Sequence, residues 1–329
     1  MSQPTGVIDF HTHYIGPEIG HDALPGCVQL RRDGERGDLY RDGAHYRIID
    51  DRSWDTTRRI AEMDAEGVAL QVLSPIPVSY GYESATDVGA QFAREQNEAL
   101  AAVVRARPDR FAALGAVPLQ DPDAACAALE SAVREYGLAG VEIGTVAGGR
   151  ELDDPAFEAF WERAEALAAI VFIHPESFPD FSRVSKRMMV ISTGYPSETG
   201  IAAAMLLTSG LLERRNLKIM LAHAGGTLPW LLPRMDRLWD VAEPARTTRA
   251  RPSELARKLY CDTLTFDAAN LALVLERFDP EHVVTGSDYP FTVREVPPGA
   301  VIADGAPAHL HESLRSANAR RLLDGVKHT

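Results

Sequence analysis

Cysteine is scarce in this chain of 329 residues: Cys27, Cys126 and Cys261 are the only three, widely separated and odd in number. Neither a disulfide framework nor a Cys-x-x-Cys metal site fits that pattern, so buried, reduced thiols are expected. Long apolar runs are missing as well. No stretch approaches the roughly 20 apolar residues needed to cross a bilayer, and Met1-Ser2-Gln3-Pro4 lacks the basic segment and apolar core of a secretory leader. A cytoplasmic protein with no membrane partner is therefore expected. Positive charge is in deficit, with 34 lysines and arginines against 47 aspartates and glutamates and a formal net charge of -13. No basic run compensates for it, which argues against nucleic acid or an anionic membrane surface as a partner. If the substrate is itself an anion, a few placed arginines must overcome the field of everything else. Low-complexity linkers and repeats are also lacking, and one domain over residues 1–329 is the expectation.

What is present is an alternation. Eight short apolar runs, often β-branched, fall at residues 7–10, 69–73, 111–117, 140–143, 170–173, 217–222, 259–262 and 282–285. Stretches with helical periodicity lie between them, such as 54–65, 90–107, 122–136, 155–168 and 268–278. Asp121-Pro122 and Asp154-Pro155 are good helix starts, an N-cap acid followed by proline in the first turn. Buried strand alternating with amphipathic helix predicts a parallel sheet, and eight repeats predict an α/β fold closed into a (β/α)8 TIM barrel.

Two segments break the rhythm. Residues 14–53 are too long for a βα loop and hold strand-like pieces, Val28-Gln29-Leu30 and Tyr46-Arg47-Ile48-Ile49, around the turn-rich Arg32-Asp33-Gly34 and Asp42-Gly43. They predict a small hairpin insertion over the mouth of the barrel. Residues 292–329 begin with Pro297-Pro298-Gly299 among their first residues and finish in a helical stretch, 309–323, expected to pack outside.

Four of the apolar runs end in an imidazole or a carboxylate. His11-Thr12-His13 closes the first, His174 the fifth, His223-Ala224-Gly225-Gly226 the sixth, and Asp288 the eighth. Residues at i and i+2 of a strand point the same way, so His11 and His13 can face one ion. Neutral imidazoles with a carboxylate suit zinc or a similar divalent ion, with a position left open for water. Alternatives exist for single members. Asp288 could be a turn former before Pro290, and His223 could be a fourth ligand. The base assignment for His223 is preferred, because three imidazoles, a carboxylate and an open position already complete a catalytic site whose water needs a proton acceptor. The fourth run carries Glu142 and no lysine, which favours one metal over a carbamylated two-metal bridge.

These motifs resemble the amidohydrolase superfamily, and within it the branch typified by 2-amino-3-carboxymuconate-6-semialdehyde decarboxylase and related decarboxylases of aromatic acids. The similarity extends from Ile8-Asp9-Phe10-His11-Thr12-His13 through Met63-Asp64-Ala65-Glu66-Gly67-Val68, Leu73-Ser74-Pro75, Gly140-Val141-Glu142-Ile143-Gly144 and His174-Pro175 to Gly286-Ser287-Asp288-Tyr289-Pro290-Phe291. The resemblance implies that His11, His13, His174 and Asp288 hold one zinc-like ion, with Mn2+, Co2+ or Fe2+ as alternatives and no organic cofactor. It implies that His223 deprotonates the bound water. It also assigns Arg47 and Arg234 to substrate carboxylates, Arg47 from the same subunit and Arg234 across a homodimer interface. A guanidinium grips a carboxylate through two parallel hydrogen bonds and stays charged.

In one place the chain departs from that pattern. After His174-Pro175 the decarboxylase has a tryptophan, where this chain has Glu176-Ser177-Phe178. A carboxylate there would repel a dianionic substrate or act as a further acid or base. Phe291 and Trp230 are candidate pocket walls. The resulting expectation is a non-oxidative decarboxylase of an unsaturated or aromatic carboxylic acid, with hydrolysis of an amide, lactone or vinylogous carbonyl at the same site as the alternative.

Overall fold

A computed structural model describes residues 6–20 and 24–328. Thirteen strands run in chain order. The first barrel strand is β1 (Val7–Tyr14), followed by β2 (Val28–Asp33), β3 (Arg36–Arg41) and β4 (Ala44–Asp50). Next come β5 (Val68–Pro75), β6 (Phe111–Ala113), β7 (Gly140–Ile143) and a short hairpin, β8 (Val146–Ala147) with β9 (Arg150–Glu151). The last four are β10 (Ile170–Ile173), β11 (Lys218–Leu221), β12 (Tyr260–Asp262) and β13 (Val283–Val284).

Eight of these strands pair in parallel around a closed ring. β1, β5 and β6 form one arc and β7, β10, β11, β12 and β13 the other. A parallel bridge between Gly115 and Val141 joins the arcs on one side. On the other side Phe10 N donates to Thr285 O at 2.8 Å and His13 N to Tyr289 O at 2.7 Å. Each expected run overlaps one of these strands, and the (β/α)8 barrel is the observed fold. The central strand β10 is uniformly apolar (Ile170, Val171, Phe172 and Ile173 are all fully buried) because helices cover its outer face.

Capping follows the sequence. Asp121 accepts from the backbone N–H of Asp123 and Ala124, with Pro122 opening the helix Pro122–Arg134. Asp154 caps the tight turn Pro155–Phe157 that leads into Glu158–Leu167. Asp55 does the same for Thr56–Glu66, which stops at Gly67 in the left-handed region. Two further long helices lie outside the expected stretches. Tyr195–Thr208 is largely apolar, with a run of three alanines and no amphipathic period, whereas Leu228–Val241 is amphipathic but has Pro233 inside it.

The insertion differs from the expected hairpin. β2, β3 and β4 form a three-stranded antiparallel sheet, with turns at Gly34-Glu35 and Asp42-Gly43. The middle strand, Arg-Gly-Asp-Leu-Tyr-Arg, is too polar to be conspicuous, yet Leu39 is fully buried and anchors it. A second core of Ile15, Val28, Leu30, Leu39, Ile49, Trp54 and Phe92 seats this cap against the barrel. Residues after the barrel return to it, where Thr285 N and Oγ1 both donate to Leu314 O.

Gly140 opens β7 at a φ of 150°, and a Cβ there would collide with the backbone carbonyl of Ile170 in the neighbouring strand. Neither backbone can yield inside the ring. Gly140→Ala should therefore destabilise the fold by about 3 kcal/mol, read as a lower urea midpoint with an unchanged slope.

Candidate metal centre

The mouth of the barrel gathers five side chains from four strand ends. His11 and His13 lie on β1, where the pairing with β5 shifts register between Asp9 and Thr12. Such an irregularity re-aims side chains near a site. His174 follows β10, His223 follows β11, and Asp288 follows β13. One ligand atom each from His11, His13, His174 and Asp288 lies within 4.8 Å of the others. Four of the six pairings among them reach across more than 150 residues of chain.

Hydrogen bonding fixes which nitrogen each ring presents. His11 Nδ1 lies 2.8 Å from Asp262 Oδ2, His13 Nδ1 3.0 Å from Pro75 O, and His174 Nδ1 2.9 Å from Pro175 O. Each Nδ1 therefore carries the hydrogen, and each Nε2 turns a lone pair inward. His11 Nε2 and His174 Nε2 are buried and make no hydrogen bond among the described residues. Asp288 Oδ1 stands 3.1 Å from His13 Nε2 and 3.4 Å from His11 Nε2. Orphaned buried acceptors are rare in folded proteins, so this set fits a divalent cation.

Electrostatics point the same way. Burial disfavours a charge on His11, yet the hydrogen bond to Asp262 and the carboxylates of Asp288 and Glu142 raise its pKa to about 9. Surroundings that favour a proton on a buried ring favour a metal ion still more. Burial among the other imidazoles holds His174 well below the ordinary histidine range. It also lowers His223 to about 4, keeping that ring neutral and able to accept a proton.

His223 is placed beside the ligands rather than among them. Its ring centroid is 4.9 Å from that of His174 and 5.4 Å from that of His11, and its Nδ1 has no partner. The backbone there is strained: His223 and Ala224 have φ of 54° and 55°, and Asp288 has 68°. Non-glycine residues persist in that region only where the surroundings enforce it. Asp262 does so for the turn, accepting from His223 N at 3.0 Å and Ala224 N at 2.7 Å. Asp262 was not singled out from the sequence, although it ends the seventh apolar run as the ligands end theirs.

A cavity of about 1250 Å³ opens over this centre. Arg47, Glu176, Phe291 and Trp230 line it together with His174, His223 and Asp288. Arg47 comes from β4 of the cap and lies over the Phe291 ring at 5.6 Å, and its charge opposes the rise that burial causes in the pKa of the nearby Tyr195 phenol. Glu176 does point into the cavity but is not free, since Oε1 lies 3.1 Å from Nη2 of Arg41. Burial raises its pKa and the Arg41 charge opposes the rise. Arg41 and Tyr195 are further residues that sequence reasoning missed. Arg234 stands apart, exposed on the helix Leu228–Val241 and outside the cavity of this chain. Glu142 is not among the gathered ligand atoms; Ser74 and Tyr80 donate to its carboxylate, and it stays buried behind His13.

Three inward imidazoles and a carboxylate at the C-terminal mouth of a (β/α)8 barrel define a metal-dependent barrel enzyme. Residues 8–325 match the model of the amidohydrolase family, and the chain belongs to that family. Among curated proteins it is 34% identical to 2-amino-3-carboxymuconate-6-semialdehyde decarboxylase of Dictyostelium discoideum, over 90% of this chain and 84% of that one. Among solved structures it is similar to 5-carboxyvanillate decarboxylase of Sphingomonas paucimobilis, with 27% identity, a TM-score of 0.84, and 97% and 99% of the two chains covered. A dihydroxybenzoic acid decarboxylase of Polaromonas sp. JS666, solved with bound manganese, shares the fold at 22% identity and a TM-score of 0.78, over 97% of each chain.

Asp262→Asn should lower metal affinity about tenfold to a hundredfold, because an amide cannot accept from both the His11 ring and the strained turn. Chelator competition on the purified protein measures this, and unchanged affinity would remove Asp262 from the account.

Proposed function

We propose that this protein is a metal-dependent, non-oxidative decarboxylase of an aromatic or unsaturated carboxylic acid. The reading is carried by one observation: an arginine without an ion pair among the described residues, Arg47, faces a cavity floored by the four ligands and an unpartnered imidazole. Named decarboxylases among its relatives support the same reaction class. Bound at His11, His13, His174 and Asp288, a divalent ion would supply a Lewis acid that offsets negative charge developing on the substrate. Arg47 binds the substrate carboxylate, and Tyr195 steadies the guanidinium. Phe291 presents a flat apolar wall to an unsaturated ring. His223 accepts and returns a proton inside the cavity through its open Nδ1. The carbon bearing the carboxylate gains a proton, the bond to the carboxyl carbon breaks with its electron pair returning to the unsaturated system, and carbon dioxide leaves. No organic cofactor enters this scheme.

The hydrolytic alternative drew on Glu176 as an extra acid or base. Its ion pair with Arg41 removes that support. For the metal, three imidazoles and a carboxylate suit zinc, while manganese in a fold relative keeps that ion in view. Metal analysis of purified protein separates them. His223→Ala should retain the metal and lose about two to four orders of magnitude in kcat, while Arg47→Ala should chiefly raise KM. Carbon dioxide release with a solvent hydrogen on the former carboxyl carbon tests the reaction itself, and solvent oxygen retained in the product would favour the hydrolase.

We further propose a homodimer in which Arg234 enters the neighbouring cavity. Support comes from the surface around it. Trp230, Leu238 and Val241 on the same helix are 76%, 54% and 58% exposed, beside Ile201 and Met205 of the adjoining helix. Such a cluster of large apolar residues on one face suits burial against a second copy. Trp230→Glu should yield a monomer in sedimentation, and both it and Arg234→Ala should weaken substrate binding. A monomeric variant with full affinity would remove Arg234 from the site.

A further inference from the structure

The ion pair between Arg41 and Glu176 crosses from the cap to the barrel and has no part in the scheme above. Arg41 closes β3 of the cap, and Glu176 stands two residues beyond His174. Nη2 of Arg41 lies 3.1 Å from Glu176 Oε1 and 2.8 Å from the carbonyl of Val78, and the guanidinium sits over the Tyr46 ring at 4.9 Å. The two side chains are only 19% and 23% exposed. Glu176 Oε2 takes no hydrogen bond from the described residues, while the side chain lines the same cavity as Arg47 and Asp288.

The charges around the cavity can be matched one by one. Arg52 is committed to Asp50 at 2.7 Å, and Arg41 is committed to Glu176. Arg187 is exposed at the rim. Apart from the metal-facing Asp288, this leaves within the wall one arginine, Arg47, without a counter-charge, and one carboxylate oxygen, Glu176 Oε2, without a donor among the described residues. A substrate that satisfies both brings a single carboxylate and a hydrogen-bond donor.

We propose that the Arg41–Glu176 pair sets substrate selectivity, admitting aromatic monocarboxylic acids that carry a phenolic or amino donor toward Glu176 Oε2 and rejecting dicarboxylic acids. The proposal rests on the decarboxylase reading for where the reacting carboxylate binds. A donor aimed at a carboxylate oxygen that Arg41 already holds in place makes one of the stronger hydrogen bonds available in a partly dry cavity. A second carboxylate would meet a like charge there, with Arg41 already engaged. Discrimination of this kind depends as much on the repelled ligand as on the favoured one.

The test is calorimetric binding to the metal-loaded protein, wild type and Glu176→Gln, using benzoate, the three monohydroxybenzoates, their methoxy ethers and benzene-1,3-dicarboxylate. In wild type at least one hydroxybenzoate should bind about tenfold tighter than its methoxy ether, and the dicarboxylate should bind more weakly than benzoate. In Glu176→Gln the hydroxy-to-methoxy ratio should fall toward one, and the dicarboxylate should tighten about tenfold because Arg41 is released. Benzoate should hold within about twofold. The proposal is overturned if wild type binds the dicarboxylate as tightly as the hydroxybenzoates, a result that needs no variant. It is equally overturned if Glu176→Gln weakens every ligand by one factor, the mark of a pair that only clamps the cap. Failure of benzoate to bind wild type would strike the decarboxylase reading itself; benzoate binding with no hydroxyl preference would strike only the selectivity of the pair.

Discussion

A single buried carboxylate, Asp262, holds the centre together. It is fully shielded from solvent and accepts from the His11 ring at 2.8 Å and from the backbone N–H of His223, Ala224 and Leu264 at 3.0, 2.7 and 2.9 Å. An unpaired carboxylate in such a place would cost several kcal/mol, and four donors offset that cost. The same contacts hold a left-handed turn that no free peptide of that sequence would favour. One residue thus sets the ring orientation of a ligand and the position of His223 together. Asp9, accepting from both Ser287 N and Oγ, ties β1 to the segment that delivers Asp288 in a comparable way.

Around that centre the fold divides the work between two rigid parts. The closed ring supplies the ligands and His223, because strand ends in a barrel converge on one mouth whatever their separation in sequence. The cap supplies Arg47 to the cavity wall and Arg41 as the ion-pair partner of Glu176. Its own apolar core, with Leu39 and Trp54 inside, makes it a folded lid rather than a loose loop. Arg59 links the two parts: fully buried, it donates to the carbonyls of His13 at 2.6 Å and Arg52 at 2.8 Å, and lies over Tyr289 at 4.5 Å. A charged group is retained in the interior there because it satisfies backbone carbonyls that no apolar side chain could.

The charge distribution follows from the same division. The chain is strongly acidic as a whole, yet its cavity holds an arginine with no matched carboxylate beside a site that favours a cation. An anion is drawn to that spot by local fields, which in a confined and partly dry space outweigh distant screened charges. Protein dipoles and a guanidinium fixed in advance need no reorganisation as charge develops, and that is the form of stabilisation open to such a site.

The barrel and the ligand set were legible from sequence for one physical reason. Both are written in local patterns: apolar runs of strand length, and a histidine or aspartate where four of those runs stop. His11 and His13 declared themselves by their i, i+2 spacing, and Asp121 and Asp154 by the proline that follows each. Other residues left no such mark. The polar strand Arg36–Arg41 hid its single inward leucine, and the helix Leu228–Val241 hid behind its prolines. Asp262 looked like any strand-end acid until its four donors were seen, and the partnership of Arg41 with Glu176 spans 135 residues. Composition and periodicity determined which elements form and which side chains lie at their ends, since those depend on near neighbours along the chain. Only the tertiary structure decided which ring nitrogen faces inward, which arginine is left unpaired and which carboxylate is already engaged, because each of those depends on atoms that folding alone brings within 3 Å or so.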